Sequence, residues 1–331
     1  MSAAASALER LAAHGADGFP HLLAARARTE EGLAGLRARF VDVDLPDDAA
    51  VVMFGSWGRR ELTAHSDDDW LLLVDGPRRD GLDGAVGAVR GVLGAQRAAP
   101  GLQGTFGLAG FGRDLVEHIG LADDDNRNLT QRMLLMLESA PVVGDAVHRA
   151  VWDQVLARYL AESRTDRRPP RFFLNDVMRY WRTIAVDFAG KHRDDDAKWG
   201  LRNAKLRTSR KMLFAGGLVP ALRCHTLRHA DAAAFLAQQL ALPATDRVAD
   251  AFLAAGHHDA GVRCLGAYDR WTGMVADAAV RDELASLDRA SAMGSATFVE
   301  VRRLAAELQN GLLALLFETS LAPAVREYAI F

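Results

Sequence analysis

The residues most able to do chemistry lie in the run FGSWGRRELTAHSDDDWLLL, which begins at Phe54. Gly55 and Ser56 directly follow an apolar segment, and such a turn exposes backbone N–H groups and a hydroxyl to phosphate oxygens. Asp67 and Asp69 stand two residues apart at the start of the next apolar segment. Because side chains at i and i+2 of a strand project from one face, both carboxylates can reach one metal site.

These residue types suit phosphoryl transfer. Mg²⁺ prefers carboxylates and substrate phosphate oxygens as ligands, and the reaction needs a phosphate cradle, metal ligands and little else. The pattern therefore predicts a magnesium site beside a phosphate-binding turn. The competing interpretation of the acidic run 66–69 is a solvated surface turn.

The arrangement resembles the DNA polymerase β-like nucleotidyltransferase superfamily, whose signature is a Gly-Ser turn followed by Asp-x-Asp on the next strand. The string GSWGRRELTAHSDDD is most similar to a bacterial branch that includes the PII-protein uridylyltransferases. The resemblance covers residues 50–75 and continues more loosely through 125–145. It implies a nucleotidyltransferase core that moves a nucleoside monophosphate from an NTP, with ATP as the default donor.

The resemblance also implies roles for individual residues. Asp67 and Asp69 would bind two Mg²⁺ ions, one organising the triphosphate and one activating the acceptor hydroxyl. Gly55 and Ser56 would hold the β- and γ-phosphates. Ser66 is expected to brace the turn before the second strand.

Further positions follow from the same resemblance. Arg59 is expected to contact phosphate, with Glu61 orienting it. Asp68, where the family usually has an apolar residue, should face away from the metal ions. Relatives carry a third carboxylate on a later strand; we expect Asp114 to fill that role, with Glu117 as the other candidate.

The elements that must position these side chains follow from hydrophobic patterning. The apolar runs 49–54 and 70–74 predict two buried strands, 105–111 predicts a glycine-rich third strand, and 82–97 predicts a helix. We therefore expect a small α/β core over 41–125, preceded by helices over 1–40. No strand is predicted after residue 126, so 126–331 is expected to be an all-helical domain. The predicted fold class is thus α/β plus all-α.

All four lysines of the chain fall between Lys191 and Lys211. The segment from Lys198 predicts a basic helix over 200–215, from which Lys205 and Lys211 are expected to contact the triphosphate, because cations stabilise the charge of phosphoryl transfer. A solvent-facing basic helix and an RNA-binding surface are the other interpretations. In the helix predicted over 171–190, Arg179 and Arg182 either line a cleft or pair with neighbouring acids.

Composition limits the remaining possibilities. Half of the residues are hydrophobic, and the net charge of −3 disfavours a generally basic nucleic-acid coat. Two cysteines cannot form a disulfide framework and indicate buried thiols in a reducing compartment. No export signal or membrane-spanning run is evident, so we expect a cytoplasmic protein without a membrane partner.

The acceptor stays open at this point. A protein side chain, a small molecule such as an aminoglycoside, and a nucleotide all fit the motif. Two other functions compete with transfer: a catalytically silent nucleotide-binding regulator, and a synthase that makes cyclic oligonucleotides.

Overall fold

The protein is described by a computed structural model covering residues 5–94, 105–161, 165–192 and 198–329. It combines a small four-stranded mixed sheet with many helices. The strands are β1 (Ala49–Met53), β2 (Trp70–Val74), β3 (Leu108–Phe111) and β4 (Ala140–Val143). The helices before β4 are α1 (Ala7–Ala12), α2 (Pro20–Arg39), α3 (Ser56–Arg59), α4 (Asp83–Leu93), α5 (Gly112–Glu117) and α6 (Asn126–Leu137). The helices after β4 are α7 (Asp145–Ala161), α8 (Arg171–Lys191), α9 (Trp199–Arg207), α10 (Ser209–Arg223), α11 (His229–Leu240), α12 (Ala244–Ala255), α13 (His258–Ala276), α14 (Ala278–Ser286), α15 (Ala296–Phe317) and α16 (Ala322–Ala324).

The order of strands brings four chain segments to one edge of the sheet. The order is β3-β2-β1-β4, with β1 antiparallel to both β2 and β4, and with β2 parallel to β3. Met53, at the end of β1, lies opposite Trp70 and Ala140, which begin β2 and β4. Leu108 begins β3 beside Leu71. The end of β1 and the starts of the other three strands therefore meet at this edge, which we call the site edge.

The strands alternate between two hydrophobic cores. Ala50, Val52, Leu71 and Leu73 face a large core that they share with most of the helices. The intervening residues, such as Val51 and Leu72, face a smaller core with α2 and α4. This alternation follows from the two-residue period of a strand, and it assigns each residue just before β2 to one face or the other.

The expectation that no strand follows residue 126 is wrong. Strand β4 pairs with β1, so the sheet extends to Val143, beyond the boundary expected at 125. The strand is short, contains Pro141 and is an outermost strand of the sheet, a position in which proline is tolerated. These properties leave little strand signal in the sequence.

Most expected helices are observed close to their predicted bounds. The helix expected over 82–97 is observed as Asp83–Leu93, and its residues 95–97 lie outside the described residues. The helix expected over 200–215 is interrupted at Thr208, whose backbone angles (φ −120°, ψ −89°) separate α9 from α10.

Cys224 and Cys264 are buried and free, as expected. No helix within the described ranges is long and apolar enough to cross a bilayer.

A fully buried arginine joins three helices behind the site. Arg132 of α6 makes a two-pronged ion pair with Asp124, with Nη1–Oδ1 and Nη2–Oδ2 distances of 2.9 and 2.7 Å. It also donates to Asp176 of α8 at 2.7 Å and to the hydroxyl of Tyr159 of α7 at 2.7 Å. Arg179 adds bonds of 3.1 Å to both aspartates, so the pairing with a neighbouring acid, one of the two interpretations of this residue, is observed with Asp176.

Arg132→Met is expected to lower the free energy of unfolding by about 3–5 kcal/mol, because it leaves two buried carboxylates without their main counter-charge. Urea denaturation of the full chain measures the loss. The control is Arg289→Met, an exposed arginine in a turn, which is expected to change stability by no more than about 0.5 kcal/mol. Equal stability of the two variants would contradict the importance of this network.

Candidate active site

Asp67 and Asp69 lie at the site edge, directly before β2. The carbonyl of Asp69 accepts a hydrogen bond of 2.8 Å from the amide of Phe54, which continues the β1–β2 ladder past the start of β2. By the alternation of the strand, both aspartates fall on the face of Leu71 and Leu73. Both line a cavity of about 290 Å³ together with Gly55 and Ser56.

Gly55 is required by its conformation and by its neighbour. Its φ of +63° lies in the left-handed region, and a Cβ built on it would be 3.0 Å from Oδ2 of Asp69. A side chain here would therefore be strained and would press on the carboxylate. Ser56 follows as the first residue of α3, so the turn places its side chain on the wall of the same cavity.

Two neighbouring residues behave as the sequence predicts. Asp68 is buried on the other face, where its Oδ1 accepts a hydrogen bond of 3.0 Å from Nε1 of Trp57. It does not line the cavity, so it faces away from the paired aspartates. Ser66 braces the preceding turn: its Oγ accepts from the amide of Thr63 at 3.0 Å, and its own amide donates to the Thr63 carbonyl at 3.2 Å.

Arg59 is held by two acids rather than standing free. Its Nε donates to Glu61 at 2.9 Å, as expected for an orienting carboxylate, and its Nη1 donates to Glu138. The hydroxyl of Tyr268 in α13 donates to the other oxygen of Glu61 at 2.8 Å. Although burial opposes it, the charges of Glu138 and Glu61 raise the pKa of Arg59 above its usual range. This chain of contacts docks the helical region against the turn.

Glu138 is a site residue that the sequence did not identify. It lies between α6 and β4, is buried, and lines the cavity. Because β4 is antiparallel to β1, the residues that lead into β4 lie at the site edge. The signal in the sequence was an acid two residues before a short apolar run, and the run was too short to be recognised as a strand.

Asp114 is placed elsewhere. Strand β3 is parallel to β2, so Phe111 pairs with Val74, five residues beyond Asp69 and about 16 Å away at ~3.3 Å per residue. Asp114 follows β3 at that far edge, where it pairs with Arg78 at 3.1 Å. It does not line the cavity; nor does Glu117, which pairs with Arg113.

Burial and nearby negative charge perturb Asp69. Burial raises its pKa most, followed by the charges of Glu138 and Asp67, to about 6. Arg210 and Arg59 offset this only in part. Burial and the two neighbouring acids therefore disfavour the ionised carboxylate, and a bound cation would stabilise it.

Basic side chains line the same cavity. Lys205, Arg210 and Arg281 line the cavity, and no acidic side chain pairs with any of them in the described part of the chain. Burial, then the charges of Arg281 and Arg210, lower the pKa of Lys205 to about 8. Lys211 is outside the cavity, where its ammonium contacts Gln309.

Gly58→Ala is expected to destabilise the protein by roughly 1–3 kcal/mol, because the added Cβ would overlap the carbonyl of Glu138. The substitution forces α3 away from the segment that carries Glu138, so any activity of the site should fall as well. Thermal denaturation measures the stability change. The control is Gly87→Ala in α4, which has open space around it and is expected to gain about 0.5–1 kcal/mol. Equal effects at the two glycines would exclude close packing as the reason for Gly58.

Among residues 5–94, 105–161, 165–192 and 198–329, no group of three His, Cys, Asp or Glu side chains is arranged to hold a metal ion. Comparison with known protein families finds no matching family, and comparison with curated proteins finds no matching relative.

Proposed function

We propose that the protein is a Mg²⁺-dependent nucleotidyltransferase that moves a nucleoside monophosphate from an NTP to an acceptor hydroxyl. One observation carries the proposal: Asp67 and Asp69 line one cavity together with Gly55 and Ser56, and cations without an acidic partner in the described ranges line the same cavity. Metal ligands, a phosphate-binding turn and positive charge are the components that phosphoryl transfer uses.

The residues present fit Mg²⁺. Asp67 and Asp69 would hold the ion, with phosphate oxygens and water completing an oxygen ligand set. The raised pKa of Asp69 supports this assignment, because burial beside like charges costs free energy that a cation would offset. When bound, Mg²⁺ would supply positive charge to the triphosphate and lower the pKa of the acceptor hydroxyl.

The other side chains would position the donor. Gly55 and Ser56 would bind phosphate oxygens, and Lys205, Arg210 and Arg281 would also bind the triphosphate. Arg59, already fixed by Glu61 and Glu138, offers its remaining N–H groups to the cavity without the entropy loss of ordering a free side chain. Glu138 would hold Arg59 and add negative charge near the metal ions.

The ion pair that Glu138 makes with Arg59 favours a second function, which is nucleotide binding without catalysis. Glu138 is engaged by Arg59, and no three-acid metal group is found in the described ranges. A silent regulator needs only binding, so turnover separates the two functions.

The experiment is incubation of the full chain with labelled NTPs, Mg²⁺ and a cell extract as the acceptor source. We expect pyrophosphate release and a labelled product, both abolished by the double variant Asp67→Asn/Asp69→Asn. The control is Asp68→Asn, which makes the same kind of substitution at the intervening residue on the opposite face and should keep the activity. Nucleotide binding without turnover, whatever the acceptor, would favour the silent regulator.

A further inference from the structure

The cavity opens into two grooves, one on each side of α8. The first, which we call the arginine groove, has a volume of about 540 Å³ and is lined by Arg127, Arg179 and Arg182. The second, which we call the lysine groove, has a volume of about 430 Å³ and adds Lys198 to the lining. Both share residues with the cavity: Thr105, Thr130 and Thr183 join the arginine groove to it, and Lys205, Arg210 and Arg281 join the lysine groove.

Positive charge in the arginine groove is poorly compensated. Arg127 and Arg182 are exposed, and neither has a hydrogen bond or acidic partner within the ranges that the structure describes. Arg179 is tied to Asp124 and Asp176, but its side chain is still 37% exposed. Asp187, the acid that lines the groove, also pairs with Lys191 at 2.7 Å. This positive charge is local to the groove, because the chain as a whole has a net charge of −3.

Binding of the donor NTP explains the cations of the lysine groove but not those of the arginine groove. If the triphosphate lies against Lys205, Arg210 and Arg281, its charge is neutralised by the wall that continues into the lysine groove. Arg182 of α8 and Arg127 of α6 line the arginine groove and not the lysine groove, so they have no role in that contact. Unpaired arginines beside a phosphoryl-transfer site are suited to bidentate recognition of a second phosphate-bearing molecule.

We propose that the acceptor is itself phosphate-bearing, a nucleotide or the end of an oligonucleotide, and that its phosphates bind in the arginine groove. This rests on the proposed function. The acceptor hydroxyl oxygen forms a new bond to the α-phosphorus of the NTP, while the bond from that phosphorus to the bridging oxygen breaks. Pyrophosphate leaves with the bond electrons, and the hydroxyl proton passes to water.

The same charges disfavour other acceptors. An aminoglycoside is polycationic, so Arg127 and Arg182 would repel it. A protein side chain gives no reason for unpaired arginines at this position. Transfer to either would overturn the inference while leaving nucleotidyl transfer intact.

The first test measures binding apart from catalysis. The full-length Asp67→Asn/Asp69→Asn variant is titrated against a labelled single-stranded oligonucleotide and, separately, against a labelled mononucleotide, with fluorescence anisotropy as the readout. Adding Arg127→Gln/Arg182→Gln is expected to weaken binding about tenfold or more. For the oligonucleotide, it should also reduce the salt dependence, the slope of log K against log salt, by about 1.4. Tighter binding of the oligonucleotide than of the mononucleotide identifies the longer acceptor, and the reverse identifies the nucleotide.

The control is Arg39→Gln/Arg289→Gln, which removes the same charge from two exposed arginines outside the cavity and grooves and should leave binding unchanged. Equal weakening in the two double variants would mean a general charge effect and overturn the site. The second test adds each acceptor class to the wild-type protein with ATP and Mg²⁺. Labelling of the nucleotide or oligonucleotide supports the inference, whereas labelling of a protein or an aminoglycoside contradicts it. If phosphate-bearing acceptors bind but nothing is labelled, the groove stands and the proposed transfer fails.

Discussion

Asp69→Asn is expected to abolish nucleotidyl transfer, by about 10³-fold or more, and at the same time to make the metal-free protein more stable. The loss of activity follows because a neutral amide neither holds Mg²⁺ as a carboxylate does nor supports the charge that the metal adds to the transition state. The gain in stability follows because the amide removes a carboxylate whose ionisation is disfavoured in the folded protein.

The direction of the stability change comes from the pKa of Asp69. Its folded-state pKa of about 6 lies above the usual 3.8, so folding favours the protonated form. Stability is therefore lost as pH rises from about 4 to 6, and at pH 7.5 the full cost, about 1–3 kcal/mol, is present. Replacement by asparagine removes that cost, and the melting temperature in EDTA should rise by roughly 2–6 °C.

Thermal denaturation with and without Mg²⁺ measures the effect, and Asp68→Asn is the matched control. The wild-type protein and the Asp68→Asn variant should both gain stability when Mg²⁺ is added. The Asp69→Asn variant should start higher in EDTA and gain less. A variant that is less stable than the wild type in EDTA would show that Asp69 is a structural acid rather than a cation ligand.

Lys205→Met is expected to weaken binding of the NTP by about 10- to 100-fold, since one charge-assisted contact to phosphate is worth about 1.5–3 kcal/mol. The pH dependence should change as well. The pKa of Lys205 is about 8, so the ammonium that binds phosphate is lost as pH rises through 8. Affinity of the wild type should therefore fall above pH 8, and this fall should be absent in the variant.

The sign for stability is the opposite of that for Asp69. The folded-state pKa of Lys205 lies below the usual 10.5, so its charged form is disfavoured in the folded protein. The contribution of this group to stability rises with pH between about 8 and 10.5. Calorimetric titration of a nonhydrolysable NTP at several pH values tests the binding prediction. Lys211→Met is the control, because Lys211 lies outside the cavity and should affect neither the affinity nor its pH dependence.

The sequence predicted the part of the site that is local in the chain. Gly55, Ser56, Asp67 and Asp69 sit at the ends of two strands that pair with each other, so the spacing along the chain is enough to bring them together. The opposite faces of Asp68 and Asp69 follow from strand alternation alone. The bracing contact of Ser66 and the pairing of Arg59 with Glu61 are equally local.

The rest depends on topology that the sequence does not show. Asp114 was expected to complete the site because it follows a strand, but the parallel pairing of β3 places it at the far edge. Glu138 reaches the site edge through β4. This strand could not be predicted because it is short and contains a proline.

Lys205 and Lys211 lie on different helices, which the sequence does not show. A continuous helix over 200–215 would have carried both lysines, but the break at Thr208 puts them on different helices. Arg210 and Arg281 complete the basic wall instead. Arg281 comes from α14, far along the chain, and no local pattern connects it with the aspartates.

We propose that Asp67 and Asp69 bind a divalent cation that in turn binds the triphosphate. Calorimetric titration of a nonhydrolysable NTP into the wild-type protein, with Mg²⁺ and with EDTA, tests it most directly. We expect the wild-type protein to bind the NTP tightly only when Mg²⁺ is present. The Asp67→Asn/Asp69→Asn variant should lose most of this affinity, and its remaining binding should not depend on Mg²⁺. Binding that is equally tight in EDTA, or unchanged in the variant, would contradict the claim.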